Sequence, residues 1–416
     1  MTEQPPPGEN TRAVHLPPTP MPDQAPLGGP VWRSATFAFE TSQEYADVLG
    51  DRVPGYTYSR VDNPTSDGFA AAVAALEGIR VGGVTGQAFA SGMAAITAVL
   101  MAFTHAGAHV VAPAAAYGGT YGLLSDLLSR FGVQTDFVDM TDPATVRAAI
   151  RPETRIVWAE TLANPTMAVA DLPALAEAAH EAGALLVVDS TFATPVVCRP
   201  LEHGADLVIH SATKYIGGHS DATGGVVVGR TGMMAPVRGV RIHTGGMLAP
   251  DEAFLLRRGL ETLPLRVRRQ CDTAALVAAA AARHPAVAKV DYPGLPGHPG
   301  RETARRLFDA GPEGTRFGAV VSITPHGGAQ AGMALADGLR LAKVAASLGG
   351  THTLAGHIAS TTHRQMDTHA LAAAGIDPGA VRFSIGLEDA DDLIHDVTNA
   401  LTALGRIGVQ DGALNS

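Results

Sequence analysis

Lysine is nearly missing from this chain. Of its 30 basic residues only Lys214, Lys289 and Lys343 are lysine, and arginine carries almost all the positive charge. Lysine can give up its proton and form an imine, and arginine does neither, so a lysine in a distinctive context is informative. Cysteine is scarcer still: Cys198 and Cys271 are too few for a disulfide framework or a cysteine-built zinc site. Positive charge as a whole is outweighed, 30 basic side chains against 40 acidic for a net −10. That balance argues against nucleic acid or an anionic membrane surface as a partner, since either needs a basic face. No apolar run reaches the roughly 18 residues of a transmembrane helix. The first thirty residues hold nine prolines and no apolar stretch, so they are expected to form a flexible or extended arm, not a secretion signal. The expectation is a soluble, cytoplasmic protein.

What is present is a pattern of alternating strands and helices. The 416 residues, 46% of them hydrophobic, leave room for two or three domains. Short apolar runs at Ala108–Ala112, Arg155–Ala159, Ala184–Val188 and Asp206–Ile209 read as buried parallel strands. Helical stretches separate them: Phe69–Leu76, Gly92–Phe103, Gly119–Arg130, Asp142–Ile150 and Leu172–Ala182. Such spacing suits βαβ units with helices on both sheet faces, an α/β class. From Asp251 the pattern changes. One long helix is expected over Asp251–Ala282, then a smaller mixed region with strands near Val287–Asp291 and Ala319–Thr324. The expected boundaries are 1–63 for the Pro-rich arm and an inter-subunit segment, 64–263 for a large domain, and 264–416 for a C-terminal domain.

The densest chemistry lies in Ala184–Gly229. The run ALLVVD stops at Asp189, and DLVIHSATK stops at Ser211, Thr213 and Lys214, followed by Gly217 and Gly218. In an open α/β sheet ligands bind outside the carboxyl ends of strands, so both ends should face one crevice. An acid, two hydroxyls and a scarce lysine suit an aromatic phosphorylated aldehyde bound as a lysine imine. The acid would keep the ring nitrogen protonated, and the hydroxyls would hold phosphate. A dinucleotide site is disfavoured, because VGGVTG lacks the G-x-G-x-x-G spacing and follows a helix. The histidines from His352 to His369 have no metal-ligand spacing, so no metal is expected.

SATKYIGGHSD resembles the cofactor-lysine motif of the Cys/Met-metabolism enzymes that depend on pyridoxal 5'-phosphate. The likeness runs in order through YTYSRVDNPT, FASGMAAI, AYGGTYGLL, ETLANPT, DSTFATP, TGGML, RRGLETLPLR, SLGG, ASTTH and VRFSIGLEDADDLI. It implies a fold type I architecture: a large domain with a mostly parallel sheet of the seven-stranded type between helices, and a smaller α+β C-terminal domain. By the resemblance Lys214 is the imine lysine and the base at the substrate Cα, and Asp189 pairs with the ring nitrogen. Tyr117 stacks on the ring and serves as acid or base near the leaving group. Gly92 and Met93 at a helix start hold phosphate, with Ser211 and Thr213. Asn164 and Thr191 border the ring. Tyr58 and Arg60 of the YSR motif reach the neighbouring subunit's phosphate, which implies a homotetramer built of two active-site-sharing dimers. Arg382, with Ser347, holds the substrate carboxylate.

Departures from the family's patterns bear on the substrate. Members that handle cystathionine tend to place a glutamate where this chain has Ala346, an acid where it has Thr57, and, in the lyases, an arginine where it has Gly122. A pocket without such handles would leave a charged tail unpaired and would accept a methylthio group. The expected reaction is therefore α,γ-elimination of L-methionine. Cystathionine γ-lyase, cystathionine γ-synthase and O-acylhomoserine sulfhydrylase activities stay open, because Gly119 stands where methionine γ-lyases often have cysteine. A cofactor-bearing but non-catalytic relative is disfavoured by the full set of Lys214, Asp189, Tyr117 and Arg382.

Overall fold

The computed structural model describes residue 24 and residues 26–311, 314–364 and 368–413. The expected Pro-rich arm lies largely outside the described residues. Seven strands form the principal sheet: β1 (Val84–Phe89), β2 (His109–Pro113), β3 (Gln134–Val138), β4 (Thr154–Glu160), β5 (Leu185–Asp189), β6 (Leu207–Ser211) and β7 (Gly225–Arg230). Their order is β1-β7-β6-β5-β4-β2-β3, and only β7 runs against the rest. The sheet is thus mostly parallel, as the sequence pattern predicts.

The central strands read as unbroken apolar runs because both faces are covered. On β4, Ile156 and Trp158 face one core cluster while Val157 and Ala159 face the other, all fully buried. Each large apolar side chain so placed contributes about 1.5–3 kcal/mol. The helix Gly92–Phe103 covers one face, starting at Ser91, whose hydroxyl accepts from Ala94 N at 3.1 Å. Pro64–Glu77 covers the other face and begins earlier than its apolar pattern suggests. Asn63 caps it by accepting from Thr65 N, and Pro64 opens its first turn.

Two expected helices differ. Gly119–Arg130 is not continuous: a short α-turn (Gly118–Gly122) passes into a π turn and then a 3₁₀ turn ending at Phe131. Three glycines weaken its start, and the Ser125 and Ser129 hydroxyls bond back to the carbonyls four residues earlier. Asp251–Ala282 is two helices, Pro250–Glu261 and Leu263–Ala281. Pro264 cannot donate to the preceding turn and would clash with it, so the chain breaks at Thr262. β1, β3 and β7 are strands beyond those read from apolar runs.

A second, five-stranded sheet has the order Lys343–Val344, Leu354–His357, Val381–Ser384, Val320–Pro325, Val287–Asp291. The helix Leu263–Ala281 ties the two sheets together. Its first half (Leu263, Val267, Cys271) packs in the core of the large sheet, and its second half (Ala274, Val277, Ala281) packs against Val321, Phe383 and Leu393.

Candidate functional site

The carboxyl ends of β2, β4, β5 and β6 open onto one cavity of about 340 Å³. Its wall includes Gly92, Met93, Tyr117, Asn164, Asp189, Thr191, Ser211, Thr213, Lys214, Ser347 and Arg382. Eleven of the thirteen residues expected at the site therefore converge. Tyr58 and Arg60 do not. Tyr58 is exposed, the Arg60 guanidinium lies 5.5 Å from its ring centroid, and Arg60 Nη1 donates to Ile242 O at 2.9 Å. Both stand outside the cavity of their own chain.

Parallel register sets the acids side by side. Glu160 is paired with Asp189 across β4 and β5, and both strands end there. Asp189 Oδ1 accepts from Thr191 N at 2.9 Å, and burial raises its pKa. Glu160 is the residue that the reading of the sequence passed over. Its Oε1 accepts from Tyr117 N at 2.7 Å and its Oε2 from Asn164 N at 3.1 Å. One carboxyl group thus joins the loops that follow β2 and β4. Burial, and then the neighbouring Asp189, push its pKa up to about 8 against the pull of those two N–H groups. The signal was available: β4 ends in an acid just as β5 does.

Lys214 Nζ donates to Ser347 Oγ at 2.8 Å. Burial, then the Arg382 charge, bring its pKa down to about 8, which favours an amine that can exchange protons near neutrality. Arg382 is buried on the strand Val381–Ser384 and spans the cavity wall, with Nη1 donating to Asn164 Oδ1 at 3.1 Å and Nη2 to Ser347 O at 3.0 Å. Ser347 adopts φ +82, an uncommon conformation outside glycine. That geometry turns its hydroxyl to Lys214 and its carbonyl to Arg382. Asn164 precedes a cis peptide bond to Pro165.

These donors fit pyridoxal 5'-phosphate. The N-terminus of the twelve-residue helix Gly92–Phe103 meets the Ser211 and Thr213 side chains at one end of the wall, the arrangement a phosphate needs. A Cβ on Gly92 would stand 2.8 Å from Ser211 Cβ, so only glycine lets that helix start approach β6. Tyr117 keeps 41% of its surface exposed beside the cavity, leaving a ring face free for stacking. Asp189 and Lys214 supply the acid and the amine. Among the described residues no cluster of His, Cys, Asp or Glu could hold a metal ion, and no helix is long and apolar enough to cross a membrane.

The sequence matches the family model described as Cys/Met metabolism PLP-dependent enzyme over residues 10–402. It is 41% identical to the L-methionine gamma-lyase of Pseudomonas putida over 95% of this chain and 98% of that one. It is 42% identical to the cystathionine gamma-lyase of Bacillus subtilis (strain 168) over 83% and 89%. Among solved structures, cystathionine gamma synthase from Xanthomonas oryzae pv. oryzae in complex with aminoacrylate and cysteine superposes with a TM-score of 0.83. That chain is 39% identical, with 91% of this chain and 93% of that one covered. The fold is accordingly the fold type I architecture expected from the motifs. Cavity, motif order and near-complete coverage lead to one conclusion: this chain belongs to the Cys/Met metabolism family of enzymes dependent on pyridoxal 5'-phosphate.

Proposed function

We propose that the chain is a carbon–sulfur lyase that converts L-methionine to methanethiol, 2-oxobutanoate and ammonia. The observation that carries the reading is the wall around Ala346. Ile96, Leu162, Phe192 and Leu348 join Ala346 in lining the cavity, and among the described residues the only acids lining it, Glu160 and Asp189, are already bonded to backbone N–H groups. A distal ammonium would meet no free acid there, a loss of several kcal/mol, whereas a methylthio group meets apolar surface. Of the other two positions weighed in the sequence, Thr57 lines a separate cavity and Gly122 faces open space.

Bound pyridoxal 5'-phosphate supplies a ring that takes up the electron pair left at the substrate Cα. In this reading Asp189 holds the proton on the ring nitrogen, and Gly92, Met93, Ser211 and Thr213 hold the phosphate. Tyr117 packs on the ring face, with Asn164 and Thr191 beside the ring. Arg382, steadied by Ser347 O and Asn164, grips the substrate carboxylate and so fixes which Cα bond faces Lys214. Lys214 removes the Cα proton and returns protons further along, and a second proton leaves Cβ, whose electron pair expels the sulfur from Cγ. Tyr117 gives a proton to the departing sulfur at Cγ. Tyr58 and Arg60 complete the phosphate site of a neighbouring subunit in a homotetramer.

A γ-replacement or cystathionine-cleaving activity is the second reading, and Gly119 favours it. A side chain at that position would meet the Tyr117 ring at 2.6 Å and Met93 Sδ at 2.8 Å, so the ring rests where methionine γ-lyases often carry cysteine. The test is 2-oxobutanoate release from L-methionine and from L-cystathionine at equal concentration, with Lys214→Ala as the blank. Preference for methionine is expected. Preference for cystathionine overturns the argument from Ala346, and silence on both directs the assay to O-acylhomoserine with a thiol.

A further inference from the structure

Arg266 is a buried cation with no acid partner among the described residues. It lies 6% exposed on the helix Leu263–Ala281. Its Nη1 donates to Tyr215 O at 2.8 Å, its Nη2 to Gly259 O at 2.6 Å and Ile216 O at 3.4 Å, and its Nε to Thr262 Oγ1 at 3.0 Å. Among the described residues no carboxylate forms an ion pair with it. Burial lowers its pKa to about 10, which still leaves it charged at neutral pH. A lone charge in the interior is destabilising unless its hydrogen bonds are complete. The rigid fork of arginine completes them here with carbonyls from two segments at once.

Those segments are the turn after Lys214 and the end of the helix Pro250–Glu261. Gly218 has φ +73, and a Cβ there would lie 2.0 Å from Arg266 Nη1. A Cβ on Gly259 would lie 2.3 Å from Ile216 O. Gly218 N donates back to Lys214 O at 2.8 Å, which closes the turn on the lysine itself. The GG of one motif and the terminal arginine of another are therefore one fitted contact.

We propose that Arg266 is a positioning residue for Lys214: by clamping the carbonyls of Tyr215 and Ile216 it fixes where Nζ stands in the cavity. The inference rests on Lys214 being the cofactor lysine, which borohydride trapping of the cofactor and peptide mapping of the wild-type chain check separately. Arg266→Lys keeps the charge but cannot span both carbonyl groups. In the cofactor-loaded variant kcat is expected to fall about a hundredfold, the effect of a misplaced reacting group. KM should change little, because Arg382 is untouched. The visible circular dichroism per bound cofactor should fall with kcat. A variant that melts earlier yet keeps wild-type kcat and dichroism overturns the proposal. Gly218→Ala serves if Arg266→Lys does not fold, because the added methyl displaces the guanidinium while leaving it intact. Gly183→Ala is its control, with a similar φ of +69 and nothing within 4 Å of the new Cβ. Loss of dichroism in Gly218→Ala alone supports the clamp, and equal behaviour of the two overturns it.

Discussion

Replacing Glu160 by glutamine should remove one component of the pH dependence of folding. The side chain is 7% exposed and accepts from Tyr117 N and Asn164 N at 2.7 and 3.1 Å. Burial, then Asp189, raise its pKa from 4.5 to about 8. The unfolded chain therefore loses this proton near pH 4.5, while the folded chain keeps it until near pH 8. Between those values the folded state binds more protons, so its stability falls as pH rises. A rise of that size corresponds to roughly 5 kcal/mol across the interval, at 1.36 kcal/mol per unit. Glutamine is neutral throughout, but its NH₂ cannot accept, so one buried N–H loses its partner at a cost of about 1–3 kcal/mol. Wild type should be the more stable protein at pH 5, and the order should reverse by pH 8–9. Urea denaturation of the cofactor-free proteins at intervals from pH 5 to 9 tests this. Subtracting the variant's curve removes the contributions of other titrating groups. Parallel curves would refute the assigned burial and the coupling to Asp189.

Ser347→Gly should move stability and activity in opposite directions. Relief of φ +82 adds about 1 kcal/mol to unfolding, while loss of the 2.8 Å bond to Lys214 Nζ lowers kcat, read by denaturation and by steady-state assay. Ala346→Glu should raise kcat/KM for cystathionine relative to methionine by about tenfold or more, because the ammonium gains a charged partner. An unchanged ratio would show that the tail lies elsewhere. Arg60→Ala and Lys214→Ala should each be inactive alone. Mixed after dissociation and reassembly, they should recover about a quarter of wild-type activity if subunits share sites, because random dimers are half mixed and each holds one intact site. No recovery would confine Arg60 to its own chain.

The cofactor end of the cavity was legible because its residues end apolar runs. Asp189, Ser211 and Lys214 follow strands whose burial on both faces leaves an unmistakable hydrophobic signature. Glu160 obeys the same rule, but its carboxyl group works on backbone N–H groups, and nothing in the chain announces which amides will need an acceptor. β1 and β3 were hidden for a different reason. VTGQAF and QTDFV carry polar residues at the sheet's edges; the first is only partly buried until Ala88, and in the second Gln134 is exposed and the rest half-buried. The arginine clamp was hidden too. Arg266 ended a motif readable in the sequence, yet its partners are carbonyl groups, which every residue possesses.

Rigidity divides the site in the same way. Asp189 and Glu160 end central strands bonded on both sides, so their spacing follows from a register that the entire core enforces. Ala346 and Ser347 stand instead on the connection between the strands Lys343–Val344 and Leu354–His357. A side chain exchanged there alters what the cavity accepts without shifting a strand. In the proposed reaction the ring acid Asp189 belongs to the first group, and the choice of leaving group depends on Ala346 in the second. Selection on substrate can therefore act on the connecting segment while the chemistry of the strand ends is held constant. It follows that substitutions at Ala346 should change the ratio of kcat/KM values between substrates, whereas substitutions at Asp189 should lower all of them together.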